Sequence, residues 1–350
     1  MRNIKWIRPA VLALATAAMP GLAAATAATA SAAPAAPTAP VRVVDLGTLG
    51  GPYSEATVIN DRGQVVGGSS IDPDVFSDWH AFRWDRGRMA DLGTLGGGGS
   101  RATGINERGD AVVGWSQVTP GDYDTTHAFL WRAGRMIDLG TLGGSRSYAT
   151  GVNDRYEVAG FSETVNGQLH AVVWRHGRLI DLGTLDDQTS TATAINNRGT
   201  IVGEVRADMN TTVPVLWRPS GRTDLPVPAG EFGAAAQAVN DKGDVAGYSF
   251  GPIGNSAYLW RNGQVTALGT LPGSTGARAI GINNHDQVVG NTDFDAFVWQ
   301  NGKMTALPAL VPAGAGTGSG AADINNHGQI VGQSESSADG FTQHAVIWTH

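Results

Sequence analysis

The chain has 350 residues, no cysteine, 49 glycines and a formal net charge of −7. That length admits one large domain or two ordinary ones, and the acidic balance repels phosphates, which excludes nucleic acid as a partner. Without cysteine there is neither a disulfide framework nor a thioether lipid attachment, so the fold must bury a large core unaided.

Residues 1–32 read as a secretory signal peptide. Arg2, Lys5 and Arg8 precede a small apolar stretch, and Ala-x-Ala sites follow at Ala28–Ala30 and Ala30–Ala32, placing cleavage near Ala32. Thr, Pro and Gly dilute the apolar run too much for a membrane span, and no later segment is apolar enough for one. The expectation is a secreted, extracellular protein with no membrane insertion after signal removal. Loss of the three basic residues takes the net charge from −7 to −10 (−7 − 3). Residues 33–40 form an Ala/Pro-rich spacer. Basic residues are nearly all Arg, with Lys only at Lys5, Lys242 and Lys303, a usage that points to a GC-rich bacterial genome.

From Val41 onward one phrase repeats. An Asn closes an "IN"-like pair at Asn60, Asn106, Asn153, Asn196, Asn240, Asn283 and Asn325. A "VVG"-like triplet ends at Gly67, Gly114, Gly160, Gly203, Gly247, Gly290 and Gly332. A tryptophan ends a "HAFxW"-like phrase at Trp84, Trp131, Trp174, Trp217, Trp260, Trp299 and Trp348. The spacings run from 39 to 49 residues. Each unit predicts four short antiparallel strands, A to D: "EATVIN", a hairpin on Asn-Asp-x-Gly, "QVVGGS", a variable loop, "HAFRW", a Gly turn, then "RMADLGTL". Small residues in strand A (Gly104, Gly151, Ala194, Ala238, Gly281) fit inner strands crowded near an axis. Repeated four-stranded units of this length predict an all-β fold, a seven-bladed β-propeller spanning residues 41–350.

The two ends of the repeat region are complementary. "VRVVDLGTLGG" at Val41–Gly51 is a D strand without its A, B and C; "HAVIWTH" at His344–His350 ends a unit that has no D. The N-terminal strand, about Val41–Leu49, is therefore expected to pair with the C-terminal blade and close the ring, removing two exposed strand edges.

The phrases "HAFRW", "HAFLW", "DLGTLGG" and "INERGDAVVG" resemble the bacterial extracellular HAF repeat family, over essentially all of residues 41–350. Later units depart from it: "VPVLW", "SAYLW" and "DAFVW" lack the His, and "TDLPVPAG" and "TALPALVPAG" depart from "DLGTLGG". The resemblance implies a secreted repeat protein and supplies no activity, substrate or catalytic residue.

His80, His127, His170 and His344 begin strand C in four different blades. At a radius on the order of 15 Å, seven-fold rotation separates neighbours by roughly 13 Å, against Zn–N bonds of about 2.1 Å. One metal ion cannot bridge them, so no metal site is expected; each His should bond a loop backbone in its own blade and pack near its Trp. Asp45, Asp91, Asp138 and Asp181 recur in strand D and suit a hydrogen bond to a turn. "GYSFG" fits Gly-x-Ser-x-Gly, but Ser249 aligns with the Ser of "GWSQV" at the end of strand B, without a strand–turn–helix elbow, so no catalytic residue is assigned.

Because strands A and C run in one direction, the B-to-C and D-to-A loops share one rim. Its longest B-to-C loops, "GSSIDPDVFSDWH" and "WSQVTPGDYDTTH", set Phe76, Trp79 and Tyr123 beside Asp72, Asp74, Asp78, Asp122 and Asp124. Aromatic faces next to carboxylates suit a sugar, and Asp oxygens suit Ca2+, the one ion considered in the absence of any other cofactor. The function expected is a non-catalytic, monomeric scaffold binding a glycan or a cell-surface protein on this loop-rich face. The alternatives are an extracellular polysaccharide hydrolase or lyase with Asp74 and Asp124 as acid and base, and a structural or adhesive surface protein.

Overall fold

The computed structural model describes residues 41–73, 78–185, 188–206, 211–252, 254–311, 318–336 and 342–349. The signal peptide, the spacer, Asp74 and Phe76 lie outside the described residues.

Every described element is a β-strand or a turn. β1 covers Arg42–Asp45. The next sheet comprises β2 (Ser54–Ile59), β3 (Val65–Ser70), β4 (Trp79–Asp85) and β5 (Arg88–Asp91). Then come β6 (Ser100–Ile105), β7 (Ala111–Gln117), β8 (Thr126–Arg132) and β9 (Arg135–Asp138). β10 (Gly143–Val152), β11 (Val158–Thr164), β12 (Leu169–Arg175) and β13 (Arg178–Asp181) follow, joined to the preceding group by one parallel pairing, Arg146 with Thr126. Two further sheets are β14 (Ser190–Ile195), β15 (Ile201–Arg206), β16 (Thr212–Arg218), β17 (Gly221–Asp224) and β18 (Gly233–Val239), β19 (Val245–Gly251), β20 (Gly254–Arg261), β21 (Gln264–Gly269). The last are β22 (Ala277–Ile282), β23 (Val288–Thr292), β24 (Ala296–Gln300), β25 (Lys303–Ala306), and then β26 (Ser319–Ile324), β27 (Ile330–Glu335), β28 (Gln343–Thr349). The order within each sheet follows the chain, except that β1 lies beside β28.

The C-to-D connections are two-residue hairpins. Arg86, Ala133, His176, Asn262 and Asn301 take positive φ ahead of a glycine that does the same, the backbone of a type I′ turn. Strand A carries a feature that alternation alone does not announce. A β-bulge falls at the same place in each copy, skipping Thr57, Thr103, Thr150, Thr193, Gln237, Ile280 and Ala322 from the register. The bulge turns these side chains out of the ladder. Four threonine hydroxyls use that freedom to donate to the next sheet: Thr57 to the Ala102 carbonyl (2.8 Å), Thr103 to Ala149 (2.7 Å), Thr150 to Ala192 (3.0 Å) and Thr193 to Ala236 (2.7 Å). The "VVG" glycine faces the bulge. A methyl group at Gly67, Gly114 or Gly160 would collide with the carbonyl oxygen of Glu55, Arg101 or Tyr148.

The core lies between sheets. One cluster joins Leu46, Ala56, Ile59, Val65 and Phe82 to Val331, Ala345 and Ile347, across the two ends of the repeat region. Others of the same make-up join successive sheets. Strand A packs tightly; a β-carbon on Gly104 would stand 3.0 Å from the Gly151 Cα. Serines clamp these contacts. Ser100 Oγ accepts from the Ala81 N–H of the preceding sheet (2.9 Å) and donates to the Gly93 carbonyl (2.6 Å). Ser54 does the same to the Ala345 N–H (2.8 Å) and the Gly47 carbonyl (2.6 Å).

β1 pairs antiparallel with β28, Arg42 opposite Thr349, Val44 opposite Ile347 and Asp45 opposite Val346. The marker asparagines tie the inner turns together. Each Oδ1 caps its own hairpin, as Asn60 does for the N–H groups of Arg62 and Gln64. In six of the seven the side-chain amide donates to the carbonyl of the next marker: Asn60 to Asn106, Asn153 to Asn196, Asn196 to Asn240, Asn240 to Asn283, Asn283 to Asn325, and Asn325 to Asn60, whereas the Asn106 amide donates to Asp110 Oδ1 (2.9 Å).

Candidate functional site

The four histidines differ from expectation in their partner. Each Nδ1 lies against the strand-D carboxylate of its own sheet rather than a loop backbone: His80–Asp91 at 2.8 Å, His127–Asp138 at 2.8 Å, His170–Asp181 at 2.7 Å, and His344–Asp45 at 2.7 Å. The other carboxylate oxygen accepts from Gly93, Gly140, Gly183 or Gly47, the turn bond expected of these aspartates. A short side chain one ladder step away is a closer acceptor for imidazole than a loop. The Asp91 carboxyl is held below its usual range: burial works against that shift, and the His80 bond and the Gly93 N–H outweigh it. Among the described residues no three His, Asp or Glu side chains gather closely enough to enclose a metal ion. Three of the repeat tryptophans bind backward: Trp174 Nε1 donates to Leu139 (2.8 Å), Trp260 to Pro226 (2.9 Å) and Trp348 to Pro308 (2.6 Å). Ser249 is fully buried, paired in the ladder opposite Ser256, where no substrate reaches it.

At the loop-rich end, the two long loops separate the candidate rim residues into different roles. Trp79 is half-buried in β4, its ring 6.5 Å from Tyr53 and nearly parallel to it (17°), lying over Gly68. Asp78 precedes it, and its carbonyl accepts from the Ile71 N–H at 3.1 Å. Asp122 shapes its own loop: its carboxylate accepts from Thr125 Oγ1 (2.7 Å) and from the Asp124 and Thr125 N–H groups (2.9 and 3.2 Å). Those bonds, led by the threonine hydroxyl, hold its carboxyl below the usual range. Asp124 pairs with Arg146 at 3.1 Å, and Tyr123 projects into solvent, 71% exposed. Phe232 and Phe294, 63% and 74% exposed, stand in loops at this same end.

Behind these loops is an aromatic group that sequence reading missed. Tyr148 stacks on Phe161 (centroids 5.0 Å apart, 28°) and meets Trp115 edge-on (6.2 Å, 68°). All three are half-buried. Arg146 and Tyr148 stand on one side of β10, alternating with buried Ser147 and Ala149, so the Arg146–Asp124 pair borders the aromatic surface. A signal was present: the residue after the "VVG" glycine is Gly68, Trp115, Phe161, Glu204, Tyr248, Asn291 or Gln333, a position whose chemistry the fold leaves free. Nearby, Arg101 pairs with Glu55, and Arg278 lies 4.9 Å over the Tyr248 ring.

Toward the opposite end, strands β2, β6, β10, β14, β18, β22 and β26 together line a cavity of about 610 Å³. Its wall carries the bulge threonines, aliphatic residues such as Ile105 and Ile282, and four carboxylates: Asp61, Glu107, Asp241 and Asp323. Burial pushes Glu107 up to about 7 despite the Asp61 N–H it accepts (2.7 Å), with Asp61, Asp323 and Asp154 adding repulsion. Burial likewise pushes Asp323 up to about 7 although its Oδ2 accepts from the Ile59 N–H (3.1 Å).

No protein-family model matches the chain, and no curated protein matches it. Among solved structures, the β-propeller domain of the Trilobed protease from Pyrococcus furiosus, described as having an open velcro topology, aligns at a TM-score of 0.54. The identity is 9%, over 85% of this chain and 95% of that one. A puromycin-hydrolysing peptidase from Mycobacterium tuberculosis aligns at 0.52 with 13% identity, over 84% of this chain and 49% of that one, so this chain spans about half the peptidase's length. At such identities the likeness shows the fold alone, a β-propeller built of repeated four-stranded sheets.

Proposed function

We propose that the chain is a seven-bladed β-propeller, closed where β1 completes the sheet of β26–β28, and that it is a non-catalytic scaffold binding a glycan at its loop-rich end. The β1–β28 register supports closure because it reproduces the C-to-D pairing found within the other sheets, and the Ser54 clamp on Ala345 and the Asn325-to-Asn60 bond support it because they reproduce contacts found between consecutive sheets. The basic start and Ala-x-Ala sites of residues 1–32 support export, and the repeated phrase supports membership of the HAF repeat family.

The observation that carries the binding reading is the Trp115–Tyr148–Phe161 group with the Arg146–Asp124 pair at its edge. Half-buried rings held in fixed mutual contact offer a pre-ordered face for the C–H side of a pyranose, and the flanking ion pair offers donors and acceptors to its hydroxyls. At the loop-rich end Asp122, held below its usual range with its oxygens engaged by its own loop, does not supply the protonated carboxyl that a glycosidase needs.

A glycan array tests this, followed by Trp115→Ala and Tyr148→Ala, each expected to weaken binding at least tenfold while leaving the thermal midpoint of unfolding within a few degrees. Trp79→Ala and Asp124→Ala map the outer rim. Bond cleavage abolished by Asp124→Ala would replace the binder with a hydrolase or lyase. Binding indifferent to all four changes would leave a structural or adhesive role.

A further inference from the structure

We infer that the inner cavity is a second binding site, separate from the glycan surface, and that it takes a linear aliphatic polyamine. The cavity holds about 610 Å³, inside the range of sites that enclose small organic ligands, roughly 300–1,000 Å³. Among the described residues its lining includes four carboxylates and no Lys, Arg or His. Between them the wall is amidic, hydroxylic and aliphatic, with asparagines such as Asn196 and Asn284, the bulge threonines, and Ile105 and Ile282. A chain of methylenes carrying separated ammonium groups matches both surfaces. A metal ion does not, because among the described residues no three carboxylates converge on one point.

The carboxylates are not explained by the fold. The residue after each marker asparagine accepts a backbone N–H from its neighbour, and a neutral amide does this where Asn197 receives the Asp154 N–H (3.0 Å), Asn284 the Asp241 N–H (2.9 Å) and Asn326 the Asn284 N–H (2.8 Å). The bond needs an acceptor, not an acid, yet Asp61, Glu107 and Asp241 carry carboxyl groups there. Asp323 departs further from the repeat. The other six copies have Val58, Gly104, Gly151, Ala194, Ala238 and Gly281 there, small or apolar residues suited to a crowded inner strand. Placing anions beside one another in a desolvated wall is unfavourable, as the displacement of Glu107 and Asp323 toward neutrality records. A bound polycation removes that repulsion and returns both groups to their ionised form.

Calorimetry of the intact protein with spermidine, at pH 8 and pH 5.5 and in two buffers of different ionisation enthalpy, tests the inference. The result expected is saturable binding at pH 8, where both groups are ionised, weakened at least tenfold at pH 5.5, where Glu107 and Asp323 are protonated and must release protons to the buffer on binding. Glu107→Gln combined with Asp323→Asn keeps both hydrogen-bond acceptors and should weaken spermidine at least tenfold while leaving glycan-array binding unaltered. Tyr148→Ala should do the reverse. Absence of saturable binding, or binding unchanged in the double variant, would overturn the inference, the latter by showing only attraction to the acidic surface.

Discussion

Asparagine is the residue on which the inner turns depend, because it does two jobs with one side chain. Its oxygen caps the hairpin that it begins, and its amide reaches the next turn. The repeat made the position visible, but not the second job, since a bond to a neighbouring sheet has no local signature. The strand-D aspartates were similar: their turn bond could be read from Asp-x-Gly, whereas their histidine partners lie eleven residues earlier or, for Asp45, 299 residues later. Two predictions belong at this scale. Ala133 holds φ +51 in its I′ turn, a conformation that asparagine tolerates better. Ala133→Asn should therefore stabilise by about 0.5–1 kcal/mol, measured by urea unfolding. The second concerns pH. Unfolded Glu107 and Asp323 titrate near 4.5 and 3.8 but near 7 when folded. Between those values the folded state keeps protons that the unfolded state has lost, so stability falls as pH rises from about 4 to about 7 and levels off above. Asp91 and Glu157, whose carboxyls are depressed, oppose this only at the acid end of the window, where their unfolded forms (3.8 and 4.5) take up protons, and add no slope above about pH 6. The thermal midpoint should be higher at pH 5 than at pH 8, and Glu107→Gln should narrow the gap.

The strand is the scale at which sequence reading was most complete and still missed what matters for the interior. Four strands per unit, their turns and their inward small residues follow from alternation and from Gly and Asn punctuation. The bulge in strand A does not, because "ATG" or "ATA" reads equally well as regular alternation; only the facing sheet shows that a threonine has dropped out of register. The bulge explains the invariant-looking glycine opposite it and frees the hydroxyls that bridge neighbours. Gly160→Ala would drive its new methyl into the Tyr148 carbonyl. It should cost about 1–3 kcal/mol, whereas alanine at Gly98, whose nearest neighbour is the end of the Gln117 side chain at 3.4 Å, should cost much less in the same denaturant titration. The outer strands show another economy of design. β5, β9 and β13 are four residues long, begin with Arg and end with Asp, which blunts edges that would otherwise recruit a neighbouring chain. The aromatic surface, by contrast, was only partly legible: Tyr123 and Trp79 stood out through their long loops, but Trp115, Tyr148 and Phe161 meet only through the pairing of β10 with β11 and its packing beside β7.

At the scale of the molecule, sheets share surfaces instead of enclosing cores of their own, so every interface should carry comparable energy. That expectation can be checked where it is most consequential. Ser54→Ala removes the clamp on Ala345 between the first and last sheets, and Ser147→Ala removes the equivalent clamp on Ala128 between consecutive ones. In a closed ring both should cost a similar amount, about 1–3 kcal/mol; a Ser54→Ala variant as stable as the parent would mean that the first and last sheets part in solution. The two ends of the repeat region could be matched from sequence because a missing strand at one is the surplus strand at the other. The ligand could not, because the side chains that would recognise it sit at positions the repeat leaves unconstrained.

The antiparallel register of β1 against β28 also sets how the molecule answers a pull. Arg42 lies opposite Thr349, so tension applied across those two residues loads the ladder one rung at a time, beginning at its outermost pair, and peels the strand away at low force. A protein stretched between two anchors at those residues would therefore open there first.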